Sequence, residues 1–176
     1  MRMDSAPHST ASDRALTAQG TSLSEPARTQ AAGSSTIRAA IISMGGELFT
    51  IDLKSVREVF VVESITPVPG MPSGLVGVTN LRGTVIPLLD LRPMFSLKAE
   101  AALTHAVVVQ QGNWQVGVLV DTVPEIRILS RDQFFPAPTG TGEGALPFVS
   151  TVVRLEDRLR GVLETSVMLS YLEGMS

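Results

Sequence analysis

Cysteine is absent from the 176-residue sequence, which excludes disulfides, thiolate nucleophiles and Cys-ligated zinc or iron–sulfur centres. Histidine is almost absent. His8 lies in a Ser/Thr-rich stretch and His105 opens a β-type run, so there is no His pair for a metal and no imidazole near an evident nucleophile. His105 reads as a structural or edge-strand residue. Aromatic residues are few, with one Trp, one Tyr and six Phe, and no basic strand surrounds them to make a stacking platform for nucleic acid. The net charge is -3 and the 14 Lys and Arg residues are scattered, so no basic field steers the chain toward phosphate. Long apolar runs are missing too. Nothing approaches the roughly 18 residues of a membrane span, and Met1 to Ser5 continues into Ser, Thr, Pro and Asp without the apolar stretch of a signal peptide. The expectation is a soluble cytoplasmic protein with no nucleic-acid partner and no direct membrane insertion.

Catalytic chemistry is equally sparse. Asp90, Asp121, Glu58, Glu125 and Glu164 fall at strand or helix ends, where capping or solvated carboxylates are routine, so a paired acid and base is not expected. Gly140-Thr141-Gly142-Glu143-Gly144 has the glycines of a phosphate loop. It lacks the Lys and Ser/Thr that hold nucleotide and metal, its Glu143 repels phosphate, and it reads as a mobile loop. No catalytic residue, metal ligand or cofactor site is expected.

What the sequence does have is 44% hydrophobic residues, enough for one sizeable core or two adjoining small ones. Residues 1–36, rich in Ser, Thr and Ala without an aromatic, form an expected disordered tail. From Ile37 the texture becomes short β-type runs broken by Gly and Pro. Ile37 to Met44, the turn Gly45-Gly46 and Glu47 to Leu53 predict a hairpin. Leu53, Val56, Val59 and Phe60 have the spacing of a short amphipathic helix, followed by extended chain toward Ile65 and the helix-breaking Pro67, Pro69 and Pro72. A second hairpin spans Leu75 to Thr79 and Thr84 to Leu89, flanking Asn80-Leu81-Arg82-Gly83. After a linker at 98–102, strands are predicted at Ala106 to Gln110, Trp114 to Val120, Glu125 to Leu129, Val149 to Leu155 and Leu159 to Leu163. Trp114 on its alternating strand is expected in the core or between subdomains. Ser166 is expected to cap a C-terminal helix over 166–173.

The second half echoes the first. Gly46, Asp52, Val56 and Glu58 are matched by Gly112, Asp121, Val123 and Glu125; Pro67-Val68-Pro69 by Pro136-Ala137-Pro138; and Asn80-Leu81-Arg82-Gly83 by Arg158-Leu159-Arg160-Gly161. The common order of the echoes predicts two similar β-subdomains, near 37–97 and 103–165. Within the first, Glu58 and Arg82 are opposite charges on elements that approach each other if the subdomain closes as a barrel. The residues alone leave open an ion pair or a solvated Glu beside an unpaired turn Arg. An exposed pair contributes only about 0–1 kcal/mol to stability, so its value would lie in orienting donors for a partner.

Gly46 to Asp52, Val56-Arg57-Glu58-Val59, Pro67 to Pro72, Gly77 to Gly83, Val85 to Arg92 with Asp90-Leu91-Arg92, and Phe95 together closely resemble the CheW-like domain. The resemblance continues through Val116 to Asp121, Val123, Ile128 and Pro136-Ala137-Pro138, covering about residues 37–165. It implies a mainly β fold of two intertwined SH3-like five-stranded barrels with short helices. It also implies a non-catalytic chemotaxis scaffold that couples methyl-accepting chemoreceptors to the histidine kinase CheA and is recruited to membrane-associated receptor arrays. Carried over by position, the receptor-binding residues are Val56, Glu58, Asn80, Leu81, Arg82 and Gly83. Phe134-Phe135-Pro136 is the candidate contact with the kinase regulatory domain, with core packing of either Phe as the alternative. Two other roles remain open at this level: an adaptor of a second, non-flagellar pathway, and a stand-alone copy of a kinase regulatory domain.

Overall fold

The computed structural model describes residues 35–138 and 146–174. The expected tail up to residue 34 and the Gly-rich loop at 139–144 lie outside the described residues. The described chain forms β1 (Thr36–Met44), β2 (Glu47–Asp52), β3 (Val56–Val61), β4 (Leu75–Leu81), β5 (Thr84–Leu89), β6 (His105–Gln111) and β7 (Trp114–Val120). It continues with β8 (Glu125–Ser130), β9 (Phe134–Pro136), β10 (Val149–Leu155), β11 (Arg158–Leu163) and α1 (Thr165–Glu173). β1 starts one residue earlier than expected. The fold is mainly β, in two curled sheets ordered β8-β1-β2-β11-β10-β9 and β3-β6-β7-β5-β4. The second sheet has the five strands expected of a barrel. The first adds the three-residue β9 as a sixth.

The two sheets do not divide at the 98–102 linker. β1 and β2 from the first half pair with β8 and, in parallel, with β11 from the second. β3 pairs with β6, and β5 runs parallel to β7. Each sheet is completed by strands from the other half, which makes the halves interdependent. Between the sheets lies one shared core, in which Ile42, Met44, Phe49 and Ile51 of the first meet Leu89, Val107, Val109, Val116, Val118 and Val120 of the second. Met168 and Leu169 of α1 close it. Each fully buried side chain of this size contributes about 1.5–3 kcal/mol, so this seam is the main source of stability and the reason the halves stay together. Smaller clusters fill each barrel: Ala39, Ile41, Leu129, Val153 and Leu155 in one, Leu88, Ala106 and Leu119 in the other.

Polar contacts pin the crossings. Asp121 just after β7 accepts hydrogen bonds from Ser43 Oγ (2.8 Å) and from the N–H groups of Gly45 (3.1 Å) and Gly46 (3.0 Å). The β1–β2 turn is thereby tied to the other sheet. Asp90 and Arg92, each only 8% exposed, form a bidentate pair, and Arg92 Nη1 reaches the Ala101 carbonyl at 2.7 Å. This fixes the linker against the core. The hydrogen bond to Asp90 raises the Arg92 pKa above its ordinary value, against the effect of desolvation.

Three expectations require correction. The segment expected to be a helix is a single 3-10 turn, Leu53–Ser55, capped by Asp52 accepting from the Lys54 N–H at 2.9 Å, and then strand β3. Val56, Val59 and Val61 are β-branched and find a partner strand in β6, which outweighs a three-and-four spacing that short strands can mimic. Ser166 is not the helix cap, because α1 begins at the buried Thr165 with Glu164 before it. Trp114 is not in the core or between the sheets. It is 53% exposed, because it opens β7 beside the hairpin tip, where the strand leaves the packed region.

Candidate functional site

β3 and the β4–β5 hairpin meet because the five-stranded sheet closes on itself. The chain after β3 runs on to Thr66, which exchanges two backbone hydrogen bonds with Val78 of β4, at 2.8 and 2.9 Å. Gly77 permits that closure. A Cβ there would stand 2.5 Å from the Thr66 carbonyl oxygen, and its φ of +152° is one that side-chain-bearing residues avoid.

The hairpin tip is a two-residue turn, Arg82-Gly83, with φ of +52° and +88°, the left-handed pair of a type I′ turn. Asn80 stabilises it by accepting the Gly83 N–H at 2.8 Å through Oδ1. The turn points Arg82 toward β3, where its Nη1 lies 3.2 Å from Glu58 Oε2. The Arg82 side chain is 81% exposed and that of Glu58 30%, so the pair adds little to stability and keeps its charge available to a partner.

Between Val56 and Glu58 the pairing of β3 with β6 slips by one residue, with Val56 opposite Val109 and Glu58 opposite Val108. This bulge leaves Arg57 as the extra, exposed residue. Val56 packs on the shared core from one side. On the other it lines a cleft of about 270 Å³ together with Lys54, Ser55, Arg57, Gln110 and Gly112. A second cleft, about 370 Å³, adjoins it through Ser55 and Gln110 and runs between the two sheets to Glu164 and Ser166.

Comparisons with known proteins bear on this geometry. The family model for the CheW-like domain matches residues 38–173. The chain belongs to the CheW-like family. The chemotaxis protein CheW of Klebsiella aerogenes is 30% identical over 132 residues, covering 74% of this chain and 80% of that protein. CheW of Rhizobium meliloti is 32% identical over 123 residues, covering 69% and 79%. The crystal structure of the scaffolding protein TtCheW from Thermoanaerobacter tengcongensis superposes with a TM-score of 0.65 at 26% identity, covering 74% of this chain and 90% of that one. Membership makes the protein a non-catalytic adaptor of chemotaxis.

Within this CheW-like domain the expected receptor-facing residues occupy one sheet. Glu58 and Arg82 are in contact, Asn80 and Gly83 shape the turn, Leu81 is half-buried beside it, and Val56 faces the cleft. Val56 and Glu58 come from a strand, not from the expected helix. Phe134, Phe135 and Pro136 lie on the other sheet, where β9 pairs with β10. Phe134 packs against the core of that barrel. Phe135 is 36% exposed, with the Arg154 guanidinium 5.2 Å from its ring centroid, and Pro136 is exposed. Among the described residues no cluster of His, Asp or Glu could hold a metal, and no helix is long and apolar enough to cross a membrane. Sequence reasoning missed the cleft residues Lys54, Arg57 and Gln110 and the exposure of Trp114. Turn-flanking position was the one signal available for Trp114.

Proposed function

We propose that this adaptor works in the cytoplasm, bridging the cytoplasmic tip of a methyl-accepting chemoreceptor and the regulatory domain of the histidine kinase CheA within membrane-associated receptor arrays. The observation that supports this reading most is the exposed Glu58–Arg82 pair, held by the barrel seam and the Asn80 turn beside the Val56 cleft. A charge pair that contributes little to folding yet is positioned by a backbone seam and a fixed turn suits recognition. Val56, Glu58, Asn80, Leu81, Arg82 and Gly83 form the receptor contact. A helical hairpin presents side chains at regular spacing to such a charged, partly apolar edge. Phe135 and Pro136 on β9 supply the exposed part of the kinase contact, with Phe134 anchoring them to the core. The mechanism is positional: the adaptor holds receptor and kinase in one geometry, so that a receptor shift biases the kinase between two activity states. A second, non-flagellar pathway and a stand-alone kinase regulatory domain are not favoured, since the chemotaxis CheW proteins above match over most of their length.

The test is reconstitution of receptor-containing membranes with kinase, with and without this protein, read by kinase autophosphorylation. Receptor control of the kinase is expected only when the protein is present. Arg82→Ala and Glu58→Ala should each weaken receptor binding about tenfold, or 1.4 kcal/mol, while shifting stability by no more than about 1 kcal/mol. Unchanged coupling without the protein would defeat the adaptor reading, and normal receptor binding by both variants would defeat the site.

A further inference from the structure

The cleft beside Val56 has a charge pattern that the pair at Glu58 and Arg82 does not account for. Its lining contains two cations, Lys54 and Arg57, and no carboxylate. Both cations are exposed, and neither forms an ion pair among the described residues. Three acids lie on the surrounding elements. Glu58 faces Arg82, Asp52 accepts the Lys54 backbone N–H, and Glu164 lines the adjoining cleft. On a chain of net charge -3, two unpaired cations across one small opening are a local contrast. Arg57 is there because of the β-bulge, whose extra residue it is.

The rest of the lining comes from the β6–β7 hairpin, whose β6 pairs with β3. Gln110 and Gly112 line the cleft, and Gln110 Nε2 donates to the Gly112 carbonyl at 2.8 Å across the turn. Trp114 stands on this same hairpin, paired across the strands with Gln111. Val116 and Val118 follow it on the same strand face and are fully buried, whereas Trp114 is 53% exposed. An apolar row thus runs out of the shared core and ends in a solvent-facing indole at the hairpin tip whose Gly112 lines the cleft. Indoles in such settings are frequent interface anchors.

We infer that this cleft recognises an acidic side chain on a helix of the chemoreceptor tip, through Lys54 and Arg57, with Trp114 as the apolar anchor for a neighbouring residue of the same helix. This rests on the receptor reading above and extends it to three residues outside the Glu58–Arg82 pair. A carboxylate one to two turns from an apolar residue is the complementary pattern, since side chains three, four or seven positions apart share one helix face.

Trp114 is the single tryptophan, so its fluorescence reports the site directly. The experiment titrates the full-length protein with a purified cytoplasmic helical-hairpin fragment of a methyl-accepting chemoreceptor from the same genome. A blue shift of the indole emission is expected on binding, with an affinity that falls as salt rises. With affinities of the variants read by isothermal titration calorimetry, Trp114→Ala and the double variant Lys54→Glu with Arg57→Glu should each lose tenfold or more, and Trp114→Phe should retain most of the affinity. If Arg82→Ala weakens the fragment but the Trp114 and Lys54/Arg57 variants bind like the parent protein, the inference is overturned and the receptor reading stands. A blue shift with the kinase regulatory domain and none with the receptor fragment also overturns it. Failure of the parent protein to bind the fragment sinks both.

Discussion

Replacing Arg92 with Met should destabilise the fold by about 3–5 kcal/mol, the range for breaking a buried ion pair from one side. The structure gives the reason. Arg92 Nε and Nη2 donate to both Asp90 carboxylate oxygens at 2.9 to 3.3 Å, Nη1 donates to the Ala101 carbonyl at 2.7 Å, and both side chains are nearly buried. The methionine would fill the space of the stem but leave a buried carboxylate without its cation, and would release the linker. Against a total of about 5–15 kcal/mol for a domain, this is a large fraction. At about 2–4 °C per kcal/mol for a chain of this size, it is a fall in Tm of roughly 6–20 °C. Chemical denaturation followed by far-UV circular dichroism measures it, with a lowered midpoint and an unchanged m-value expected. The double variant Asp90→Leu with Arg92→Met removes both charges and should recover part of the loss. A single-variant cost below about 1 kcal/mol, or a double variant as unstable as the sum of its parts, would refute the reasoning.

Gly77→Ala should cost at least about 2 kcal/mol from strain and overpacking, because its Cβ would meet the Thr66 carbonyl and Ile65 Cγ2 at 2.5 and 2.7 Å. Amide exchange should quicken at Thr66 and Val78, and protection equal to the parent's there would contradict the seam. Thr50 is 1% exposed and its Oγ1 has no hydrogen-bond partner among the described residues; Thr50→Val should therefore stabilise by about 1 kcal/mol, a gain that thermal melts would detect and a loss would disprove. Burial of Asp121 opposes its charge, but hydrogen bonds from Gly46, Ser43 and Gly45 and the positive Arg92 outweigh it, leaving its pKa below the ordinary value. A depressed folded pKa makes its stabilisation complete above the unfolded pKa of about 4 and lost as pH falls below it. Asp121→Asn should be less stable at pH 7 and show a shallower decline in acid. An unaltered pH profile would count against the staple.

Local features were legible in the sequence where the determinant is local. Gly45-Gly46, Arg82-Gly83 and Gly112-Asn113 mark turns, and the β-branched runs on either side make the three hairpins they join. The string Asp90-Leu91-Arg92 was legible as a signature, although its task, a buried staple of the linker, was not. The helix expected around Val56 failed because a short strand carrying a bulge can show the same apolar spacing as one helical turn. Trp114 was misplaced for a related reason: alternation tells which face of a strand a residue shares, and not where along its length the strand leaves the packed core.

Pattern and motif along the chain were enough to place the protein as mainly β, with the strings of the CheW-like domain and with Glu58 and Arg82 as residues to bring together. Which strands share a sheet was not legible there, because the parallel pairings of β2 with β11 and β5 with β7 join segments far apart in the chain. Those pairings depend on the shared core being filled from both sides, which no local pattern encodes. The antiparallel pairing of β3 with β6 likewise brings a bulge and a hairpin tip from the other half of the chain together, so that Arg57 and Gly112 line one cleft.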